Sequence, residues 1–378
     1  MLLMYFICTT HFKTIYSMFK QHFFIRLMSS PSYRQEEANA NPEKKNSQPV
    51  KSLFFSLQYI LAVLCFAVTL VPSLSNQAKA QSKTAARLTE GEHFANVNHI
   101  KLHYYVGAGK GPVMLVASPG WGISVNYLMP LGVFEKHFKV VYFDTRHTGK
   151  SSGPSDPMQY TDDHFVTDID SLREYLGQSK IFLAGHSASG HMVLSYALKH
   201  GDKLKGLITI DGIAAQDSLR QTEMARRVKQ KESEPFYKAH PELYKAAYEE
   251  LYRKEPSNKS LAESIGALGP FYLHDPSRTA ALLSGFEFND SVNHYVDKSG
   301  FVGRNLLPDL HQINVPTLII SGDDDFICDH ISQATRIHKE IKSSELAIIH
   351  NSGHLPWKEQ PAAFDKACLV WIKKQLKN

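Results

Sequence analysis

Cysteine is scarce in this chain. Its 378 residues hold four, Cys8, Cys65, Cys328 and Cys368, and no two form a CxxC pair. That spacing excludes the usual zinc-ribbon and thioredoxin-like motifs. Charge of one sign is scarce as well. The formal net charge is +5 at pH 7, and the basic residues are scattered rather than clustered. A nucleic-acid-binding protein would show a basic patch or stripe, so no nucleic-acid partner is expected. Internal repeats and low-complexity segments are missing too. What remains is an ordinary globular composition, 43% hydrophobic and 21% charged. It is long enough for one large domain or two small ones.

Long apolar runs are also few, and the one that stands out is near the start. Lys51 precedes an apolar stretch from about Leu57 to Val71, Pro72 breaks it, and Ala78-Lys79-Ala80 follows. A basic residue, an apolar core and a small-x-small site read as a secretory signal peptide over 51–80, cut after Ala80. The alternative is an uncleaved anchor, because Leu53–Val71 approaches the ~20 residues a membrane span needs. Residues 1–50 form an extension ahead of the leader. A start site set too early would explain it, and a long extended signal region is the other explanation. The expected location is therefore outside the cytoplasm, in the periplasm or beyond, with membrane contact only through an uncleaved leader. Cys328 and Cys368 would then be the cysteines left to pair.

From Asn96 onward the chain alternates between two periods. "HIKLHYYV" alternates apolar and polar residues, as a half-buried strand does, while "GPVMLVAS" and "KVVYFD" are continuous apolar runs. Phe165, Ile169, Leu172 and Leu176 follow at helical spacing and stop at Gly177. "KIFLAG", a helix after Ser187, and "LKGLITID" continue the rhythm. This predicts a mostly parallel sheet flanked by helices. The rhythm stops over 215–306, a stretch rich in Glu, Lys, Tyr and Ala. There "PELYKAAYEELYRKEP" predicts a helix with Leu243, Ala247 and Leu251 on one side. Strands return with "VPTLIISGDDD" and "ELAIIHNSGH", and a helix over Pro361–Leu376 closes the chain. The layout is a core in two parts, 81–214 and 307–378, interrupted by a helical cap at 215–306.

Ligands of an open parallel sheet gather at the carboxyl ends of its strands, and three reactive groups lie at predicted ends. Ser187 sits at the break between a strand and a helix in "AGHSASG". So tight a turn wants small neighbours, as in G-x-S-x-G. Here the last position is Ser189, with Gly190 next. Serine is still small, so Ser189→Gly should be tolerated and a bulky residue should close the turn. A helix-capping serine is the plain alternative. The aspartates Asp323, Asp324 and Asp325 follow a later strand, and Asp211 ends another. Any of them could orient a histidine. His354 follows the last strand, near His350, and a histidine suits proton shuttling near neutral pH. The N–H of Ala188, at the helix start, would face a developing oxyanion. Trp121, between Gly120 and Gly122 after a buried strand, offers a second N–H.

Taken together, these segments resemble the α/β-hydrolase family, over about Asn96–Lys377. The chain order serine, acid, histidine is that family's order. "YFDTRHTGKSS" resembles its D-x-R-G-x-G-x-S segment, with His147 where a glycine is usual. "NVPTLIISGDDD" resembles its acid segment, which implies Asp325 as the acid. "SGHLPWKEQP" resembles the S-G-H-x-x-x-x-E-x-P segment and implies His354. The chain is similar to the proline iminopeptidase-related group in pairing "PGWG" with "FDTRHTGKSS". It departs from that group in Pro119 before Gly120 and in Ala188, where a tryptophan is usual. The resemblance implies a serine hydrolase using Ser187, Asp325 and His354, with Trp121 and Ala188 as the oxyanion hole. No metal or organic cofactor is implied. The expected substrate is a small-molecule carboxylic ester or amide. An aminopeptidase is the rival enzyme, for which Glu234, Glu242 and Glu263 would have to hold a free amine. A non-catalytic binding protein on this fold is the rival from another class. The cap aromatics Phe236, Tyr237, Tyr244, Tyr248, Phe271 and Tyr272 either pack within the cap or line its pocket.

Overall fold

The computed structural model describes residues 86–254, 259–292 and 303–377. The chain divides into Met1–Ala78 and Lys79–Asn378, and every described residue belongs to the second unit. The leader expected at 51–80 lies outside the described residues. Among those described, no helix is long and apolar enough to cross a membrane.

Eight strands form one sheet: β1 (Gly91–Val97), β2 (Ile100–Val106), β3 (Val113–Ala117), β4 (Lys139–Phe143), β5 (Ile181–His186), β6 (Leu204–Ile210), β7 (Thr317–Gly322) and β8 (Ser344–Ile349). Their order across the sheet is β1-β2-β4-β3-β5-β6-β7-β8. β2 pairs antiparallel with both of its neighbours, and every other pairing is parallel. Of the two runs predicted as doubly buried strands, β3 is buried throughout and β4 in all but Lys139; every residue of β5 and β7 is buried as well. Alternate residues serve opposite faces. Leu115, Leu183, Leu207 and Ile319 join one core; Val116, Ala184, Ile208 and Ile320 join the other.

Helices seal both faces. Helix α1 (Asp162–Tyr175) and helix α2 (Ala188–His200) cover one, through Phe165, Ile169, Leu172, Met192 and Tyr196. α1 carries Asp162 and Asp163 in its first turn and Arg173 in its last, matching the helix dipole at both ends. The segment after β6 holds α3 (Ser218–Glu232), α4 (Pro235–Ala239), α5 (Pro241–Leu251), α6 (Leu261–Tyr272) and α7 (Thr279–Leu283). Past β7 come α8 (Ala334–Glu340) and α9 (Pro361–Gln375), and α9 seals the second face with Phe364, Cys368, Trp371 and Ile372.

Two local readings need correction. β1 carried no strand signal, because it lies at the sheet edge and buries only Ala95. In α5, Leu243 is exposed, and the buried positions are Ala247 and Glu250. Glu250 is admitted because Arg253 and Lys259 each meet its carboxylate at 2.9 Å. Cys328 and Cys368 are both buried free thiols, so the pairing left open for them does not occur.

Candidate functional site

β5 ends at His186, and the chain turns through Ser187 directly into α2. Ser187 has φ 58° and ψ −122°, a backbone state that a non-glycine residue holds only where its surroundings impose it. Close packing imposes it here. A Cβ on Gly185 would lie 2.3 Å from the Ser189 carbonyl oxygen, and one on Gly190 would lie 2.4 Å from the Gly212 Cα. Only glycines let the turn close and α2 rest on the chain leaving β6. The Ser187 N–H donates to the Ile210 carbonyl at 3.0 Å. Its side chain lies close to that of Cys328.

Ser189, the departure from G-x-S-x-G, is more than a small residue. It is fully buried, and its Oγ accepts the His186 N–H at 2.8 Å. The same oxygen lies 3.0 Å from the Ala117 carbonyl and 2.9 Å from the His186 carbonyl, to which its proton is directed. The hydroxyl staples the turn to β3. The tolerance expected for Ser189→Gly is therefore withdrawn. That change orphans a buried N–H and should cost about 1–3 kcal/mol, read as a lower midpoint in chemical denaturation. A midpoint equal to wild type would show that the staple contributes nothing.

The three consecutive aspartates separate cleanly. Asp323 accepts from His350, which is largely exposed, at 2.9 Å. Asp324 faces α3, where Arg227 and Lys231 each approach it to 3.4 Å, and it accepts from His274 at 3.2 Å. Asp325 is fully buried, and its Oδ2 accepts the Nδ1–H of His354 at 2.7 Å. Its Oδ1 accepts the N–H groups of Ile327 and Cys328. Burial works to raise the Asp325 pKa, but the His354 charge and these hydrogen bonds prevail and hold it below the usual carboxylate value. His350 is thus set aside. Asp211 lies beside the pair rather than in it: Asp211, His186 and His354 offer polar atoms within 4.8 Å of one another.

Supporting residues went unread in the sequence. His186 donates from Nε2 to the His354 carbonyl at 2.8 Å, and its Nδ1 accepts from the Tyr127 hydroxyl at 2.6 Å. Burial, then the charge of His354, push its pKa well down, which suits this neutral form. Glu359 accepts the Gly353 N–H at 2.6 Å and the His274 N–H at 2.8 Å, holding the His354 loop against the helical segment. The His354 N–H itself donates to the Tyr272 carbonyl at 2.7 Å. Asp144 is fully buried and accepts from Ser124 Oγ, Val125 N–H, Lys150 N–H and His103 Nδ1, all within 3.0 Å. It pins the loop that follows Trp121. The signal for Glu359 and Asp144 was their place in the quoted motifs; no local pattern marks His186.

Ala188 opens α2, so its N–H has no acceptor inside the helix and sits at the positive end of the dipole. Trp121 stands between Gly120 (φ 91°) and Gly122 (φ 80°). That strand-to-loop bend is held by Asn289 N–H donating to the Gly122 carbonyl at 2.8 Å. Of the cap aromatics, Tyr237, Tyr244 and Phe271 pack on one another and on Phe326, while Tyr248 is exposed. Tyr272 lies against His354, ring centres 5.3 Å apart. A second group, Asp325, Cys328 and His354, also brings polar atoms within 4.8 Å. Its carboxylate is already committed to His354 and the backbone, as both ring nitrogens of His186 are in the first group.

Comparison with known proteins agrees with this layout. The family described as alpha/beta hydrolase fold matches residues 113–361. A proline iminopeptidase of Saccharolobus solfataricus is 29% identical over 282 residues, covering 69% of this chain and 84% of its own. A human (lyso)-N-acylphosphatidylethanolamine lipase is 24% identical, covering 67% and 77%. Among solved structures, an alpha/beta fold family hydrolase from Bacillus anthracis superposes with a TM-score of 0.58 at 17% identity, covering 74% of this chain and 98% of that one. The match spans most of the sheet and the strand ends that carry Ser187, Asp325 and His354. The chain belongs to the α/β-hydrolase fold family and is a hydrolase related to the proline iminopeptidases.

Proposed function

We propose that this hydrolase cleaves a small carboxylic ester or amide through an acyl-enzyme on Ser187. The observation that carries this is the buried 2.7 Å Asp325–His354 pair, whose His354 carbonyl accepts from His186, the residue before a serine held in a left-handed strand-to-helix turn. Ser187 Oγ attacks the substrate carbonyl. His354 takes its proton and passes it to the leaving group. Asp325 holds Nδ1–H, so Nε2 is the free base, and it stabilises the imidazolium. The N–H groups of Ala188 and Trp121 receive the tetrahedral oxyanion, each donor being worth roughly 3–4 kcal/mol. Water, activated by His354, then releases the acid. The helical segment serves as the cap, and Tyr272 presents an apolar wall beside His354.

The aminopeptidase reading has the proline iminopeptidase relatives in its favour. It needs an anionic socket for a free amine, and the three carboxylates considered for it are differently employed. Glu263 closes a capping box on Ser260 at the start of α6. Glu242 is exposed beside His240. Glu234 is half-buried near Lys231 and Asp324, and burial raises its pKa. We therefore expect p-nitrophenyl acetate and butyrate to be hydrolysed at least as well as L-prolyl and L-alanyl p-nitroanilide. Turnover of the anilides with none of the esters would replace the ester reading with the peptidase one.

A further inference from the structure

A second carboxyl occupies the same corner of the sheet. Asp211 follows β6, and β6 lies beside β7, which leads to Asp325. Asp211 is 1% exposed and takes φ 43°. Its N–H donates to the Ile320 carbonyl at 2.8 Å, and its Oδ1 accepts the Gly322 N–H at 2.9 Å. Ser321 and Asp325 lie near, yet among the described residues no donor meets Oδ2 in hydrogen-bond geometry. A carboxylate oxygen left bare in the interior, beside a second carboxylate, would carry a heavy desolvation and repulsion cost. Protonation removes that cost. His186 cannot supply the missing proton, because its Nε2–H is already given to the His354 carbonyl.

We propose that Asp211 is held as a neutral carboxylic acid in reserve for Asp325, a positioning residue that acts through His354. Should the Asp325 carboxylate be lost, Asp211 releases its proton to solvent and accepts the His354 Nδ1–H in its place. Burial, then the Asp325 charge, raise the Asp211 pKa well above the usual carboxylate value, while Asp325 is held below it, so one proton serves both. The groups facing Asp211 come from every neighbouring element. They are Tyr127 before β4, His186 at the end of β5, Asp325 and Cys328 after β7, and His354 after β8. Of these only His354 can take a positive charge while leaving its own hydrogen bonds intact, so it is the group through which Asp211 acts.

The inference rests on the serine-hydrolase reading, and its test separates the two. With p-nitrophenyl butyrate, Asp325→Asn should lower kcat/KM by about 10⁴, because its amide donates to Nδ1 and fixes the wrong tautomer. Asp325→Ala leaves Nδ1–H to Asp211 and should retain at least about tenfold more activity than Asp325→Asn, reversing the order a conservative replacement normally gives. Adding Asp211→Asn to Asp325→Ala should remove that excess. Equal activity of Asp325→Ala with and without Asp211→Asn, both folded by circular dichroism, would overturn the reserve role. A measurement independent of turnover covers the case in which Asp325→Ala fails to fold. The His354 ring is titrated by NMR in wild type and in Asp211→Asn alone. A neutral Asp211 predicts midpoints within about half a unit. Loss of a buried anion this close would lower the midpoint by about one unit or more, and that result overturns the proposal. Failure of wild type to hydrolyse any ester or amide would instead strike the serine-hydrolase reading, and the NMR titration would still report the charge on Asp211.

Discussion

Ser187→Ala should abolish turnover, lowering kcat by roughly 10⁵–10⁶, and should abolish covalent labelling by a fluorophosphonate probe. The size of the effect follows from the proposed role. Without Oγ there is no atom to form the acyl bond, and His354 has no proton to take. What survives is whatever the Ala188 and Trp121 N–H groups do for a water attacking alone. The fold should barely notice. The strain at φ 58° is imposed by Gly185, Gly190 and their neighbours rather than by the serine side chain. Thermal stability should therefore stay within about 1 kcal/mol of wild type. Mass spectrometry of the labelled wild type should place the adduct on Ser187. An adduct elsewhere, or a Ser187→Ala variant that still turns over ester, would remove the serine from the mechanism.

The second large effect is on stability and arises at the D-x-R motif. Arg146 and Asp168 are each 2% exposed. The guanidinium meets the carboxylate with two bonds, Nε to Oδ2 at 2.7 Å and Nη2 to Oδ1 at 2.8 Å. Its remaining donors reach the Gln159 and His164 carbonyls. Asn98 adds a bond to Asp168 at 2.9 Å. Such a pair is satisfied, and removing one member strands a buried charge. Asp168→Ala should cost about 3–5 kcal/mol, which at about 2–4 °C per kcal/mol for a domain of this size lowers Tm by roughly 6–20 °C. Replacing both members with apolar residues, Arg146→Met with Asp168→Leu, should restore most of that loss, because the desolvation cost disappears with the charges. A Tm for Asp168→Ala within a few degrees of wild type would show that the pair is solvated in solution.

Much of the architecture was legible before any coordinates. The apolar runs of β3, β5 and β7 and the helical spacing of Phe165, Ile169, Leu172 and Leu176 are local patterns, and local periodicity encodes which face is buried. β1 was not legible, since an edge strand that buries one residue leaves no pattern to read. Leu243 misled for a related reason: a leucine on a helix inserted outside the sheet need not face a core. The serine turn was legible because its requirement is steric and local, with small residues flanking a strained backbone.

The choice among partners was not local. By itself, the sequence determined that a serine stands at a strand-to-helix break, that acids and histidines follow later strands, and that helices interrupt the sheet; its motifs, by resemblance, already pointed to Asp325 and His354 among them. Tertiary structure alone decided that, of Asp323, Asp324 and Asp325, only the last is buried against His354, while the first pairs with exposed His350 and the second with Arg227 and Lys231 of α3. It also turned Ser189 from a tolerated substitution into a staple, and set Asp211 beside the pair. The physical reason is the same throughout. Backbone conformation and periodicity are properties of neighbouring residues along the chain. Burial, and with it the protonation and pairing of a charge, depends on which strand ends meet across the sheet.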